Sequence, residues 1–127
     1  MFDHFGMAAR DLERSRIFYT AILAPLGIRY IETWDAERTG DYPSHGFGSD
    51  LPDFWIWGAD YESGPVHFAF KAPNRAAVDA FYAAALAAGA KDNGAPGERP
   101  HFGKPYYAAF VLDPDGNNVE AVCYEPA

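Results

Sequence analysis

Three side chains able to share one chemistry lie far apart in this sequence: His4, His67 and Glu120. Each belongs to a short apolar run, where a charged group is costly to bury unless it is paired or bound to a cation. Two neutral imidazoles and one carboxylate are a common ligand set for a divalent transition metal that keeps positions open for substrate or water. A lone histidine in a strand is more often a packed structural residue, so residue type alone leaves both interpretations open.

The small neighbours of both histidines favour a cavity over a packed core. Side chains alternate between the two faces of a strand, so His4 shares a face with Gly6, and His67 shares one with Ala69. If the bulky face of each strand covers a helix, the histidine face is left open. The same alternation turns Glu120 inward, and a metal site shared by the three residues becomes the working hypothesis.

The elements that position these residues occur twice. The segments DHFGMAARDLERSRIFYTAILAPLG and VHFAFKAPNRAAVDAFYAAALAAGA align without a gap, and each matched pair lies 63 positions apart, as His4 and His67 do. Each copy reads as a strand followed by an amphipathic helix, and three further strands follow. One structural unit is therefore predicted to be repeated along the chain.

Each predicted helix has recognisable ends. Asp11 and Asn74 suit the N-cap position, because their side chains can accept from free amides of the first turn. Gly27 and Gly89 suit the left-handed position after the last turn, although Pro25 indicates that the first helix ends a turn before Gly27. Apolar residues of the second copy recur at intervals of three and four, which predicts one buried face. That face comprises Val78, Phe81, Tyr82, Ala85 and Leu86.

Strands are predicted at about 2–8, 28–34, 45–49 and 53–58, and again at 64–71, 90–92, 106–112 and 118–124. The last two flank PDGN, a turn-forming run, and are predicted to form a hairpin. A four-residue loop would set Val111 opposite Glu120 and turn Tyr107 to the inward face. The segment 93–105, with three prolines and three glycines, is predicted to be a loop.

Length and composition restrict the class of protein and the kinds of partner it can have. The 127 residues suffice for one globular unit with a core, and no apolar run approaches the about 20 residues of a membrane-spanning helix. A net charge of -8 without a basic stripe argues against nucleic acid as a partner. The N-terminus lacks a secretory signal, so we expect a cytoplasmic protein, and the single Cys123 is expected to be buried and inert.

The repeated unit, the H…D…FY…L pattern in both copies and DPDGNNVE near the C-terminus resemble the vicinal oxygen chelate superfamily. That superfamily includes glyoxalase I, fosfomycin and bleomycin resistance proteins, and extradiol dioxygenases. The resemblance covers essentially the whole chain and implies an α+β fold in a single domain, 1–127. One βαβββ module would span about 1–60 and a second about 64–127, with their curved mixed sheets forming a cup and the helices outside.

The resemblance also implies the metal ligands. In this superfamily they come from the first and last strands of the modules, which by position are His4, His67 and Glu120, and the implied cofactor is a divalent ion such as Fe, Mn, Zn or Ni. The 63-residue offset makes Trp57 the first-module counterpart of Glu120, and tryptophan is not a ligand. The chain therefore departs from the four-ligand pattern of glyoxalase I and is more similar to the fosfomycin resistance and dioxygenase branches.

Four further residues are candidates for binding substrate. Trp55 and Trp57 share a predicted face and could floor an apolar pocket, Tyr107 could donate to a metal-bound oxygen, and Arg99 could clamp an anion. A structural role is open to each of them, in the core for the aromatic residues and on a solvated loop for Arg99. His45 has no partner that the sequence identifies.

Three function classes remain open. The first is a metal-dependent enzyme that chelates two oxygens of a small substrate and stabilises charge developing on one, as isomerisation, epoxide opening and ring cleavage all require. The second is a non-catalytic protein of the bleomycin resistance type that sequesters a drug in an aromatic cleft, and the third is a cup that has lost its substrate. Members of this size commonly dimerise, so the resemblance also implies a homodimer.

Overall fold

The computed structural model describes residues 1–61, 63–103 and 105–126. The first half contains β1 (Phe5–Ala9), α1 (Leu12–Leu23), a 3-10 turn (Ala24–Leu26), β2 (Arg29–Trp34), α2 (Ala36–Thr39), β3 (Ser44–Gly48) and β4 (Phe54–Gly58). The second half contains β5 (His67–Lys71), α3 (Arg75–Ala87), β6 (Lys91–Glu98), β7 (Tyr107–Leu112) and β8 (Asn118–Cys123). Among these described helices, none has the length and apolar character needed to span a membrane.

Each half forms one four-stranded mixed sheet, and the two sheets have the same topology. The strand orders are β1-β4-β3-β2 and β5-β8-β7-β6. In each sheet the strand before the long helix pairs in parallel with the last strand, and the other neighbours are antiparallel. The predicted α+β class with a duplicated βαβββ unit is therefore confirmed, and neither sheet closes on itself.

The long helices begin and end where the sequence predicts. Asp11 accepts from the Arg14 amide at 3.1 Å, and Asn74 accepts from the Ala77 amide at 2.8 Å. Gly89 adopts a φ of 94°, the left-handed conformation that ends a helix. Local chain chemistry thus determines both helices before any tertiary contact is considered.

One hydrophobic core lies between the helices and the sheets. The predicted buried face of α3 is correct for Val78, Phe81 and Ala85, which are fully buried. Leu86 is 40% exposed, contrary to prediction. At 100° per residue, Leu86 lies about 80° around the helix from Val78, at the margin of the buried arc.

The loop predicted over 93–105 begins later than expected, because β6 extends to Glu98. This strand lies at the edge of its sheet, and its register shifts twice, between Asp92 and Gly94 and between Gly94 and Gly97. An edge position with bulges tolerates Pro96, which cannot donate to a ladder. The composition of the segment is that of a loop, and only its place in the sheet makes it a strand.

The β7–β8 hairpin differs by one residue from its predicted register. Glu120 pairs with Phe110 instead of Val111, because Asp113 and Asn117 close a loop of three residues where four were expected. With this one-residue shift, every β7 side chain lies on the face of the sheet opposite to the predicted one. The assignment of Tyr107 to the inward face was therefore wrong.

The DPDGNN segment joins the two halves of the molecule. The buried Asp113 carboxylate accepts from the Tyr19 hydroxyl at 2.5 Å and from the Asn117 side-chain amide at 3.0 Å. Its other oxygen accepts from the backbone amides of Asp115 and Asn117, both at 2.9 Å. Burial, and next the Asp113 charge, raise the pKa of Tyr19 well above its ordinary value. A hairpin of the second half is thereby fixed to α1 of the first.

His45 proves to have partners that the sequence did not identify. Its Nδ1 lies 2.7 Å from the Thr33 hydroxyl, and its ring meets Tyr30 edge-on at 5.7 Å between centroids. Burial, and next the Arg16 guanidinium, lower the pKa of His45. The residue has a structural role on β3.

The lowered pKa of His45 predicts an acid-sensitive contribution to stability. The unfolded chain, with a histidine pKa of about 6.5, binds the proton more readily than the folded one, so stability is lost as pH falls below that value. Urea denaturation of His45→Gln is expected to show a smaller loss between pH 7 and pH 5 than the parent protein. The exposed His101→Gln is the control, and equal losses in both variants would contradict the expectation.

Candidate functional site

His67 and Glu120 lie side by side on the open face of the second sheet. Parallel pairing sets Glu120 opposite Ala69, so His67 lies on the same face of the neighbouring strand. The His67 Nε2 atom is 3.1 Å from Glu120 Oε1. The carboxylate side chain is only 3% exposed, whereas the imidazole is 50% exposed. The predicted open facing of His67 is confirmed, and so is the inward facing of Glu120.

Hydrogen bonds determine which nitrogen of His67 is free. Its Nδ1 lies 3.0 Å from the backbone carbonyl oxygen of Asn118, an atom that can only accept, so Nδ1 carries a proton. A neutral imidazole then directs its Nε2 lone pair at Glu120. The His67 Nε2 and Glu120 Oε1 atoms are 3.1 Å apart, and their lone pairs would repel each other unless a cation lay between the two atoms. That cation is either a proton or a metal ion.

Tyr106 holds the second oxygen of the carboxylate. Its hydroxyl donates to Glu120 Oε2 at 2.6 Å. Burial, and next this hydrogen bond, raise the pKa of Tyr106, so the hydroxyl stays protonated and donating. The contact was not predicted from the sequence, because a hairpin loop one residue longer gives the inward position to Tyr107. The Tyr107 hydroxyl instead donates to Asp79 of α3, also at 2.6 Å, on the helix side of the sheet.

Arg99 lies across the same sheet from His67. Its guanidinium carbon is 5.4 Å from the centroid of the Phe110 ring, which in turn is 6.1 Å from the His67 ring. Its Nη2 donates to the carbonyl of Ala95 at 2.7 Å. The second sheet therefore carries a guanidinium beside the Phe110 ring that borders His67.

His4 lies in a cavity of about 660 Å³ on the first sheet. The three tryptophans of the sequence, Trp34, Trp55 and Trp57, all line this cavity. Their neighbours include Asp3, whose carboxylate is 2.7 Å from Nδ1 of the exposed His4. The first sheet thus offers an aromatic surface with an imidazole at its edge.

Glycines in the neighbouring strands let two indoles approach the backbone of the first sheet closely. A Cβ atom at Gly6 would stand 2.5 Å from the Trp57 ring, and one at Gly46 would stand 2.9 Å from the Trp55 ring. The Trp34 ring meets Trp55 edge-on, with 5.5 Å between centroids. The shape of the cavity therefore depends on residues without side chains.

Strand pairing corrects the counterpart assigned to Glu120. Gly6 faces Trp55 in the first sheet as Ala69 faces Glu120 in the second, so Trp55 occupies the equivalent position and Trp57 does not. The offset between the last strands is two residues longer than that between the first strands and helices. A tryptophan still stands where a fourth ligand would be.

The three predicted ligands are not brought together within one chain. Among the residues that the structure describes, no group of three His, Cys, Asp or Glu side chains could hold a metal ion. Phe5 and Phe68, the neighbours of the two histidines, meet each other with 5.2 Å between ring centroids. Because side chains alternate along a strand, His4 and His67 lie on faces that turn away from this contact.

Comparison with known proteins agrees with this architecture. The family model described as Glyoxalase/Bleomycin resistance protein/Dioxygenase superfamily matches residues 1–121. The chain belongs to this family. No curated protein sequence matches it.

Solved structures of family members cover nearly the whole chain. A glyoxalase/bleomycin resistance protein from Albidiferax ferrireducens T118 is 28% identical, with a TM-score of 0.78 over 97% of this chain and 98% of that one. A family enzyme from Burkholderia phytofirmans PsJN is 18% identical, with a TM-score of 0.72 over 97% and 98%. Lactoylglutathione lyase from Agrobacterium tumefaciens is 20% identical, with a TM-score of 0.66 over 97% and 92%. At these low identities, the similarity to the last two proteins shows only a shared fold.

Proposed function

We propose that this family member is a metal-dependent enzyme that holds a divalent ion through His4, His67 and Glu120 and acts on a small oxygenated substrate. The observation that carries the proposal is the 3.1 Å approach of His67 Nε2 to Glu120 Oε1. Two donors about 2.1 Å from one ion, at roughly a right angle to each other, stand about 3 Å apart. The pair therefore fits two neighbouring ligands of a single ion.

The surroundings of the pair also fit a metal site. Ligating histidines usually donate their other ring N–H to a carbonyl or carboxylate, as His67 does to Asn118. Ligating carboxylates are usually held by a further hydrogen bond, as Glu120 is by Tyr106. A donor set of two imidazoles and a carboxylate suits Fe, Mn, Zn or Ni.

The third ligand would come from a second copy of the chain. His4 lies on the open face of the first sheet and His67 on that of the second, so a homodimer that joins the two faces brings all three residues together. Exposed aromatic side chains border both faces, with Phe2 beside the cavity and Phe102 and Tyr124 edge-on to Tyr106. Burial of such surface favours an interface.

The ion would supply a positive charge that polarises a substrate oxygen and favours negative charge developing there. The chain's own residues would bind and orient the substrate. Arg99 would hold an anionic group from across the second sheet, and Trp55 and Trp57 would contact an apolar part and exclude water. Lyase, isomerase, transferase and dioxygenase reactions are all compatible with this arrangement.

Metal analysis of the purified protein tests the proposal. Elemental analysis after growth with Fe, Mn, Zn and Ni, followed by calorimetric titration of the metal-free protein with each ion, is expected to give about one ion per chain. Failure of all four ions to bind stoichiometrically would end the case for a metalloenzyme.

The tryptophan cavity favours a second candidate function, non-catalytic sequestration of an aromatic compound. The Trp34 N–H already donates to Glu32 at 2.8 Å and the Trp57 N–H to Tyr61 at 2.8 Å, so these two indoles offer mainly ring surface. The cavity therefore suits a flat, apolar group. Tight binding by metal-free protein, unchanged in His67→Ala, would support sequestration over catalysis.

Replacement of a cavity tryptophan should selectively weaken planar ligands. Trp34→Leu or Trp55→Leu is expected to lower the affinity for 2-naphthol about fivefold, because each removes a ring contact worth about 1 kcal/mol. Decahydro-2-naphthol, of similar composition but not planar, should bind weakly to all forms. Calorimetry provides the measurement, with Tyr82→Leu on α3 as the control. An equal loss in the control would contradict the assignment.

A further inference from the structure

We propose that Tyr106 is a positioning residue that restricts Glu120 to binding the metal through one oxygen. This inference rests on the proposed function, because it concerns the same site. The Tyr106 hydroxyl donates to Oε2 at 2.6 Å, while Oε1 faces His67 at 3.1 Å. One carboxylate oxygen therefore accepts the hydrogen bond from Tyr106, and the other is left to face His67.

A glutamate that is free to rotate can bind a metal through one oxygen or two. Glu120 lacks this freedom, because it is buried in the sheet and one oxygen is occupied by a short hydrogen bond from a hydroxyl to an ionised group. Burial also limits the access of water that could replace the tyrosine. Oε1 is thus the oxygen left for the ion.

Tyr106 is itself held in place by its neighbours. Its ring meets Phe102 and Tyr124 edge-on, each with 5.4 Å between centroids. Its carbonyl accepts from the Arg99 amide at 2.8 Å, a backbone contact next to the end of β6. The hydroxyl therefore approaches Glu120 from a direction that packing determines.

The consequence concerns the coordination positions left for substrate. A carboxylate bound through one oxygen occupies one position, so three protein ligands leave neighbouring positions open for two substrate oxygens. A carboxylate bound through both oxygens would take one of those positions. Tyr106 thus keeps the ion available for chelation.

Cobalt binding by two matched variants tests the inference. Co²⁺ reports its coordination through its visible absorption spectrum as well as through its affinity. Tyr106→Phe is expected to weaken Co²⁺ binding 10- to 100-fold, because Glu120 loses the partner that orients it. It is also expected to change that spectrum, because Oε2 becomes free to bind the ion. Tyr107→Phe removes the adjacent hydroxyl, which donates to Asp79 at the same 2.6 Å distance, and should change neither property.

The possible failures are distinguishable. If the parent protein binds no Co²⁺, the proposed function fails and this inference falls with it. If the parent binds Co²⁺ and Tyr106→Phe gives the same affinity and spectrum, only the role of Tyr106 is overturned. Weaker binding with an unchanged spectrum would also overturn it, because the ligand set would then not depend on the hydroxyl. Thermal unfolding checks that each variant is folded.

Discussion

Glu120→Gln is expected to lower the affinity of the protein for the proposed divalent ion by at least about a hundredfold. The substitution keeps the size of the side chain but removes the negative charge and the anionic donor that faces His67. Loss of an outer partner alone typically costs 10- to 100-fold in metal affinity, so loss of a ligand should cost more. Calorimetric titration with Zn²⁺ or Ni²⁺ provides the measurement, and the exposed Glu37→Gln is the matched control.

His67→Ala should have a comparable effect, with the exposed His101→Ala as its control. Retention of parental metal affinity in either Glu120→Gln or His67→Ala would show that the ion binds elsewhere. Loss of affinity in the controls as well would point to unfolding instead of ligand removal.

A mixing experiment separates a site within one chain from a site between two. In the proposed homodimer, the His4→Ala and His67→Ala variants should each lack complete sites. After unfolding and refolding together, mixed dimers regain one intact site, so tight binding should return at about one ion per four chains. A site built within one chain would give no recovery, because every chain in the mixture lacks one ligand.

Asp113→Ala is expected to lower the free energy of unfolding by about 2–4 kcal/mol. The carboxylate accepts four hydrogen bonds, and its removal takes away the acceptor of the buried Tyr19 hydroxyl and of the Asn117 backbone amide. Because Asp113 joins the second-half hairpin to α1, the loss should also reduce cooperativity between the halves. Urea denaturation followed by circular dichroism provides the measurement.

Two variants calibrate this expectation. Tyr19→Phe removes only one of the four donors and should cost about 1–2 kcal/mol. Asp50→Ala, at an exposed turn, should change stability by less than about 0.5 kcal/mol. If Asp113→Ala were no more destabilising than Asp50→Ala, the DPDGNN segment would not be the connection between the halves that its hydrogen bonds indicate.

The sequence by itself determined the repeated βαβββ unit, because that information is local. The caps at Asp11 and Asn74 depend on residues three positions away, and the facing of His67 depends on the alternation of its own strand. Each of these properties depends only on residues that are close in the sequence. The predicted fold class, both long helices and the open face of the second sheet followed from them.

Tertiary structure decided two features: which side chain lies beside Glu120, and how the open faces of the two sheets are oriented. The first depends on a one-residue difference in strand register and the second on contacts between distant parts of the chain. A hairpin loop one residue shorter than predicted exchanged Tyr106 for Tyr107 beside Glu120, because side-chain facing reverses with every step along a strand. Likewise, the sequence places His4 and His67 on equivalent strands but cannot say how two sheets are oriented. The shared core turns their open faces apart, so among the described residues the fold of one chain does not bring the three predicted ligands together.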